Sequence, residues 1–292
     1  MGDMMQINKE DICVGIVLYN PDLYRLKDNI CSLRKQLENI VLIDNRSLNI
    51  EDVHSLYSKV SNVHFLKNEA NKGIAMALNQ MINWGMSKGF KWCLTMDQDS
   101  VTNESMISEM INAINNLDDV QNVGIVVPRI VDINMKADEG QSSDTEIVEI
   151  KRAEDVITSG SLINLGIIES VGKFDEKYFI DYVDTEFQER VLRQGYKIVK
   201  VNCAVLYHEV GHLEKHRFLF WNVLCSNHSA FRRYYQVRNR LAFKMKYYGK
   251  RAFVKEYLRL RLGDFKILFF ENDKISKIKA SRKGYKDYKL LL

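Results

Sequence analysis

Short apolar strands alternating with amphipathic helices fill the first half of this chain, and they constrain its fold more than any other feature. Residues 12–19 are rich in β-formers and close at Asn20-Pro21. Leu23, Leu26, Ile30, Leu33 and Leu37 then share one face at helical spacing. Residues 39–44 form a second short strand, followed by the polar turn Asn45-Arg46-Ser47, and 63–66 form a third. Ile74, Ala77, Leu78, Met81 and Ile82 mark a helix leading to a strand at 92–96. Met106, Ile107, Met110, Ile111 and Ile114 mark another helix, and 123–127 another strand. This order predicts an α/β fold: a doubly wound, mostly parallel, Rossmann-like sheet that binds ligands beyond the carboxyl ends of its strands.

That rim carries polar strand ends at Tyr19-Asn20, Asp44-Asn45 and 97–99, which together read as a nucleotide site. The run KWCLTMDQD (91–99) passes from apolar residues into two carboxylates one residue apart. A strand alternates its faces, so Asp97 and Asp99 project to the same side. Two hard oxygen ligands suit Mg²⁺ or Mn²⁺, and such an ion is commonly shared with substrate phosphates. An Asp-rich turn is the competing reading of the pair alone, so its context decides. No G-x-G-x-x-G follows the first strand and no P-loop is present, which argues against NAD or FAD.

Downstream, residues 135–155 are polar and acidic, as expected of a loop or short hairpin flanking a site. Apolar order returns at 156–163. Residues 184–194 read as a helix with Phe187, Val191 and Leu192 on its apolar side and Gly195 as its cap. A strand follows over 196–206, ending at Tyr207-His208. Beyond Lys215 the pattern becomes one of basic, aromatic helices. Residues 244–292 hold 15 Lys/Arg against 5 Asp/Glu, a net +10 that leaves −6 on residues 1–243. A basic tail on an acidic body implies an anionic partner for the tail. The five cysteines lack C-x-x-C spacing, and four lie in apolar patterns, which reads as reduced core thiols without zinc. Residues 1–11 are short and polar, unlike a signal peptide, and no stretch is long and apolar enough to span a membrane.

Taken together, VGIVLYNP (14–21), VLIDNRS (41–47), NEANKGIAMALNQ (68–80), LTMDQDS (94–100), the block 158–198 and VLYHEVG (205–211) resemble a family-2 glycosyltransferase of GT-A fold. The rhamnosyltransferase-like branch is the most similar, and the resemblance covers about residues 12–243. It implies that Tyr19, Asn20, Asp44, Asn71, Lys72 and Gly73 face the nucleotide, and that Asp97 and Asp99 hold Mg²⁺ or Mn²⁺ on the donor diphosphate. His208 would be a third ligand; a polar end to a core strand is the alternative. Asp184 would be the general base, with Asp181 and Glu186 as competing acids and a helix N-cap as its plainer role. Arg238 would clamp the diphosphate, unless it belongs to a basic surface helix. Relatives often carry Glu where Val183 stands and Gly where Arg46 stands.

The resemblance implies an inverting, metal-dependent transfer of a sugar, with L-rhamnose from dTDP-rhamnose the leading donor and a UDP-sugar the other. The acceptor would be a polysaccharide or a lipid-linked oligosaccharide. Residues 1–214 would form the nucleotide-sugar-binding catalytic domain and 215–292 a helical, basic, aromatic C-terminal extension. A cytoplasmic location, peripheral membrane contact through that extension on the inner face of the cell membrane, and a homodimer are further expectations. A sugar-phosphate nucleotidyltransferase is the nearest alternative enzyme, but it needs a Gly-rich loop where Tyr19-Asn20-Pro21-Asp22 stands. A nucleic-acid-binding protein using the basic tail is the other class. The absence of any such motif and the acidic body weigh against nucleic acid as a partner.

Overall fold

A computed structural model describes residues 6–133, 146–209, 214–218, 221–225 and 227–292. The chain divides into two compact units, one of Met1–Asp175 with Asp184–Val210 and one of Glu176–Val183 with Gly211–Leu292.

The first unit is built on a nine-stranded mixed sheet. Its strands are β1 (Ile12–Leu18), β2 (Ile40–Asp44), β3 (Val63–Lys67), β4 (Trp92–Asp97), β5 (Val101–Thr102), β6 (Val123–Asp132), β7 (Ile147–Ile150), β8 (Ser161–Asn164) and β9 (Lys197–His208). They lie in the order β3-β2-β1-β4-β8-β6-β9-β5, with β7 beside β9. The parallel run β3-β2-β1-β4 is the part that alternation predicted. β8 then enters antiparallel between β4 and β6, and β6 and β9 pair in parallel. The polar stretch expected at 135–155 is described only from residue 146, and β7 forms its later part.

Helices α1 (Leu23–Arg34), α2 (Ile50–Tyr57), α3 (Ile74–Ser87), α4 (Met106–Asn115), α5 (Ile168–Val171) and α6 (Val183–Arg193) connect the strands. Asp22 caps α1 by accepting from the Tyr24 and Arg25 amides. The helices bury the predicted stripes: Leu26, Ile30, Leu33, Met81, Met106 and Met110 are fully buried. Each such side chain contributes roughly 1.5–3 kcal/mol relative to exposure. A Cβ on Gly15 of β1 would sit 2.6 Å from Met81 Sδ, so this glycine lets α3 close down on the sheet. One of the cysteines departs from the expected core role: Cys13 and Cys93 are buried and half-buried Cys203 packs against the core, but Cys31 is exposed on the outward side of amphipathic α1.

In the second unit, β10 (Glu214–Phe218) and β11 (Trp221–Cys225) form an antiparallel hairpin. Helices were expected from Lys215 onward, but the first begins at Ala230. Phe218, Trp221 and Val223 are strand-formers, which favours the hairpin over a helix there. α7 (Ala230–Phe270) breaks at Gly249, where φ is +76°, and α8 (Lys274–Asp287) follows. Val237, Leu241 and Leu260 form the unit's core, with Phe253, Tyr257, Tyr285 and Tyr288 packed against them. Arg233 bridges to Asp264 at 2.9 Å, and the Tyr285 hydroxyl donates to the same carboxylate at 3.0 Å. Burial and that neighbouring carboxylate push the Tyr285 hydroxyl well above the ordinary tyrosine range.

Candidate active site

The polar ends of β1, β2 and β4 are tied together by side chains. Asp44 ends β2 nearly buried and accepts the Ser47 amide at 2.9 Å, closing the turn that holds Arg46 at φ +74°. That left-handed backbone explains why glycine suits the position. Asn45 is the hub. Its amide nitrogen donates to Asn71 Oδ1 at 3.0 Å and to the Gly73 carbonyl at 3.2 Å, and its oxygen accepts the Lys72 amide at 2.9 Å. Gly73 has φ +85° and opens α3, so the predicted Asn71, Lys72 and Gly73 lie beside the end of β2. Asn20, with φ +47°, donates its amide to Ser47 Oγ and accepts the Leu48 amide on its side chain. Tyr19 keeps half its surface exposed.

Gln98 lies between the two aspartates and joins β1 to β4. Its Oε1 accepts the Tyr19 amide at 2.9 Å, and its Nε2 donates to the Tyr19 carbonyl at 3.3 Å. Asn29, fully buried on α1, donates to the carbonyls of Asp97 and Ser100 at 2.8 and 2.6 Å. These contacts fix the backbone on both sides of Asp99.

Asp97, Asp99 and His208 come together. One ligand atom from each lies within 4.8 Å of the others, and all three side chains are half-buried. His208 Nδ1 lies 2.8 Å from Ser100 Oγ, which is 2.9 Å from Ser159 Oγ. With Nδ1–H donating to that hydroxyl, Nε2 is left as the acceptor able to meet a cation. Two carboxylates and one imidazole are a fitting donor set for Mn²⁺, and an acceptable one for Mg²⁺.

Asp184 is the second residue of α6. Its Oδ2 accepts from Thr158 Oγ1 at 3.1 Å and its Oδ1 from the Thr185 amide at 2.8 Å. Ser159, next to Thr158, accepts the Asp97 backbone amide at 3.1 Å, so adjacent hydroxyls contact the Asp184 carboxylate and the Asp97 backbone. Thr158 is itself anchored, its carbonyl accepting from Thr95 Oγ1 at 2.6 Å. Of the competing acids, Glu186 is buried and paired with Arg190 at 2.9 Å.

Asp181 and Arg238 belong to the second unit. Arg232 grips Asp181 through Nε and Nη2 at 3.1–3.2 Å, and Asp181 and Tyr182 both adopt positive φ. Buried Asn239 donates to the carbonyls of Ile180 and Asp181 at 2.8 and 2.7 Å, which holds this unusual backbone in place. Arg238 donates to the Lys177 carbonyl at 2.6 Å and lies over the Tyr235 ring at 4.7 Å. A cavity of about 690 Å³ lies at the other end of the sheet, beside Trp92 at the start of β4, and holds none of the predicted site residues.

Residues 13–163 match the model of the glycosyl transferase family 2. This chain belongs to that family. The family-2 glycosyltransferase is 30% identical over 242 residues to a dTDP-rhamnosyl transferase, RfbF, of Shigella flexneri, covering 78% of each chain. Its fold is similar to that of TarS of S. aureus, solved with UDP-GlcNAc, with a TM-score of 0.58 at 16% identity over 96% of this chain and 83% of that one. It also resembles GalNAc-T7, solved with UDP, GalNAc and Mn²⁺, with a TM-score of 0.58 at 17% identity. That match covers 80% of this glycosyltransferase but only 47% of GalNAc-T7. These two likenesses establish the GT-A fold expected from the motifs.

Proposed function

We propose that this glycosyltransferase moves L-rhamnose from dTDP-rhamnose, with inversion, onto a polysaccharide or lipid-linked oligosaccharide. The gathering of Asp97, Asp99 and His208 beside the nucleotide-type strand ends carries the reading. The Shigella relative's name favours rhamnose and dTDP over a UDP-sugar. Asp97, Asp99 and His208 would hold Mg²⁺ or Mn²⁺, which supplies positive charge to the departing diphosphate. Asp44 accepts hydrogen bonds from the base or ribose, and Tyr19, Asn20 and the 71–73 turn border the nucleotide. Asp184 takes the proton of the acceptor hydroxyl, and Arg238 clamps the diphosphate. A panel of nucleotide sugars, assayed for donor hydrolysis with Mn²⁺, Mg²⁺ or a chelator, tests this. The highest rate is expected with dTDP-rhamnose and near-background rates with the chelator. Metal-independent turnover, or formation of nucleotide sugars from nucleoside triphosphates, would sink the proposal.

A lipid-linked acceptor fits a second feature. No helix among the described residues is long and apolar enough to cross a membrane. The second half of α7 nonetheless exposes Val254, Leu258, Leu262, Phe265 and Phe269, spaced by three or four residues on the side opposite its buried Leu260 and Ile267. Exposed Lys255, Arg259 and Arg261 border them, which suits peripheral contact with an anionic bilayer on the cytoplasmic face. Each basic group near such a surface contributes about 1 kcal/mol. The full chain is expected to sediment with anionic vesicles at low salt, less at high salt, and not after Leu258→Glu with Phe265→Glu. If wild type stays in the supernatant at low salt, the stripe serves another role. Light scattering then asks whether it joins two copies.

A further inference from the structure

Arg25, in the first turn of α1, reaches the metal-type cluster from a side that no motif in the sequence marks. Its Nη1 pairs with Glu209 at 2.6 Å, and Glu209 directly follows His208. Its Nη2 lies 3.7 Å from Asp99 Oδ2, close enough for charge attraction but too long for a hydrogen bond. That Nη2 is buried and has no hydrogen-bond acceptor among the described residues. A buried guanidinium N–H left without an acceptor is costly, and native proteins seldom keep one without a use.

The charges say what would complete it. Asp97, Asp99 and Glu209 gather three carboxylates around the place where a cation and a diphosphate would meet. Carboxylates repel a nucleoside diphosphate, so a cationic side chain among them favours its approach. Arg25 brings a positive charge to this cluster. As the ion-pair neighbour of Asp99, Nη2 faces the carboxylate that would share its cation with the phosphates. Guanidinium N–H groups are well matched to phosphate oxygens.

We propose that Arg25 binds the donor's diphosphate, donating from Nη2 to a phosphate oxygen while Nη1 stays anchored on Glu209. This deepens the metal and nucleotide reading above and rests on it. It also sets a sign that purely structural roles do not share. Arg25 is a like charge beside the cation, so it opposes the metal alone and favours the metal with diphosphate.

Titration calorimetry on the full chain separates these effects, using Mn²⁺ alone and then dTDP, dTMP and thymidine at saturating Mn²⁺. For Arg25→Gln we expect dTDP affinity to fall roughly 10–100-fold, the worth of a lost charge-assisted hydrogen bond. Mn²⁺ alone should bind as tightly as to wild type or more tightly, and thymidine should be unaffected. Arg25→Lys should recover part of the dTDP affinity as a point charge, and it guards against misfolding of the Gln variant. Wild-type dTDP affinity in Arg25→Gln overturns the proposal. So does weaker binding of Mn²⁺ alone, since Arg25 would then only position Asp99 and Glu209. If wild type itself binds no dTDP with Mn²⁺, the nucleotide reading fails, and the assignment of Arg25 fails with it.

Discussion

Asp184→Asn is expected to lower turnover by roughly 10²–10⁴-fold, the usual range for one acid–base group, while donor nucleotide binding stays near wild type. The substituted amide keeps the shape of the carboxylate. Its oxygen can still accept from Thr158 Oγ1 or from the Thr185 amide, as the Asp184 carboxylate does. What it cannot do is take a proton. The neighbouring acids are poorer candidates for physical reasons. Glu186 is 1% exposed and bound to Arg190 through three contacts, so using it as a base would mean breaking that ion pair at a buried carboxylate. Asp181 is gripped by Arg232, which occupies both of its oxygens. Steady-state rates beside calorimetric affinity for dTDP make the comparison. Near-normal turnover in Asp184→Asn would move the role to Asp181 or Glu186.

The parallel half of the sheet was legible because its signal is local. β1, β2 and β4 are apolar runs closed by polar residues, and α1, α3 and α4 repeat apolar residues at helical spacing. The antiparallel β8 was not, because the direction in which 161–164 pairs depends on β4 and β6, far along the chain. α2 escaped notice because it buries only Val53 and Tyr57, too few residues to set a period. The site divides in the same way. Asp97 ends β4 and Asp99 stands in the turn just beyond it, so strand alternation does not apply to the pair and their short separation along the chain alone keeps them near each other. His208 needed the family motif, since β9 delivers it from 109 positions beyond Asp99. Asn45 and Gln98 were visible only as polar members of strand ends, and Ser100 and Ser159 were not singled out. Each is a common polar residue whose role comes from a partner that folding brings near. Arg25 belongs with them, for in the sequence it is one more basic residue on a helix.

Asp99→Asn should abolish measurable transfer and remove the metal dependence of nucleotide binding. The substitution keeps volume and an acceptor oxygen but deletes one of the two carboxylate charges in the Asp97, Asp99 and His208 cluster. Neutralising a departing diphosphate is worth several kcal/mol to the transition state, so losing the ion should slow turnover by roughly 10³-fold or more. The local fold should survive. The backbone around Asp99 is held by Asn29 and Gln98, and the Asp99 side chain is one-third exposed with Arg25 as its ion-pair partner. Thermal unfolding should therefore change little, which separates loss of the ion from loss of structure. Calorimetry with dTDP, with and without Mn²⁺, reads the effect directly. Wild type should bind more tightly with the metal, and Asp99→Asn should bind alike in both conditions. The chelator control bears on the wild type itself: should transfer run at full rate after exhaustive chelation, Asp97, Asp99 and His208 do not hold a catalytic ion. The cluster would then act through its own charges, with Arg25 left beside it to meet the diphosphate.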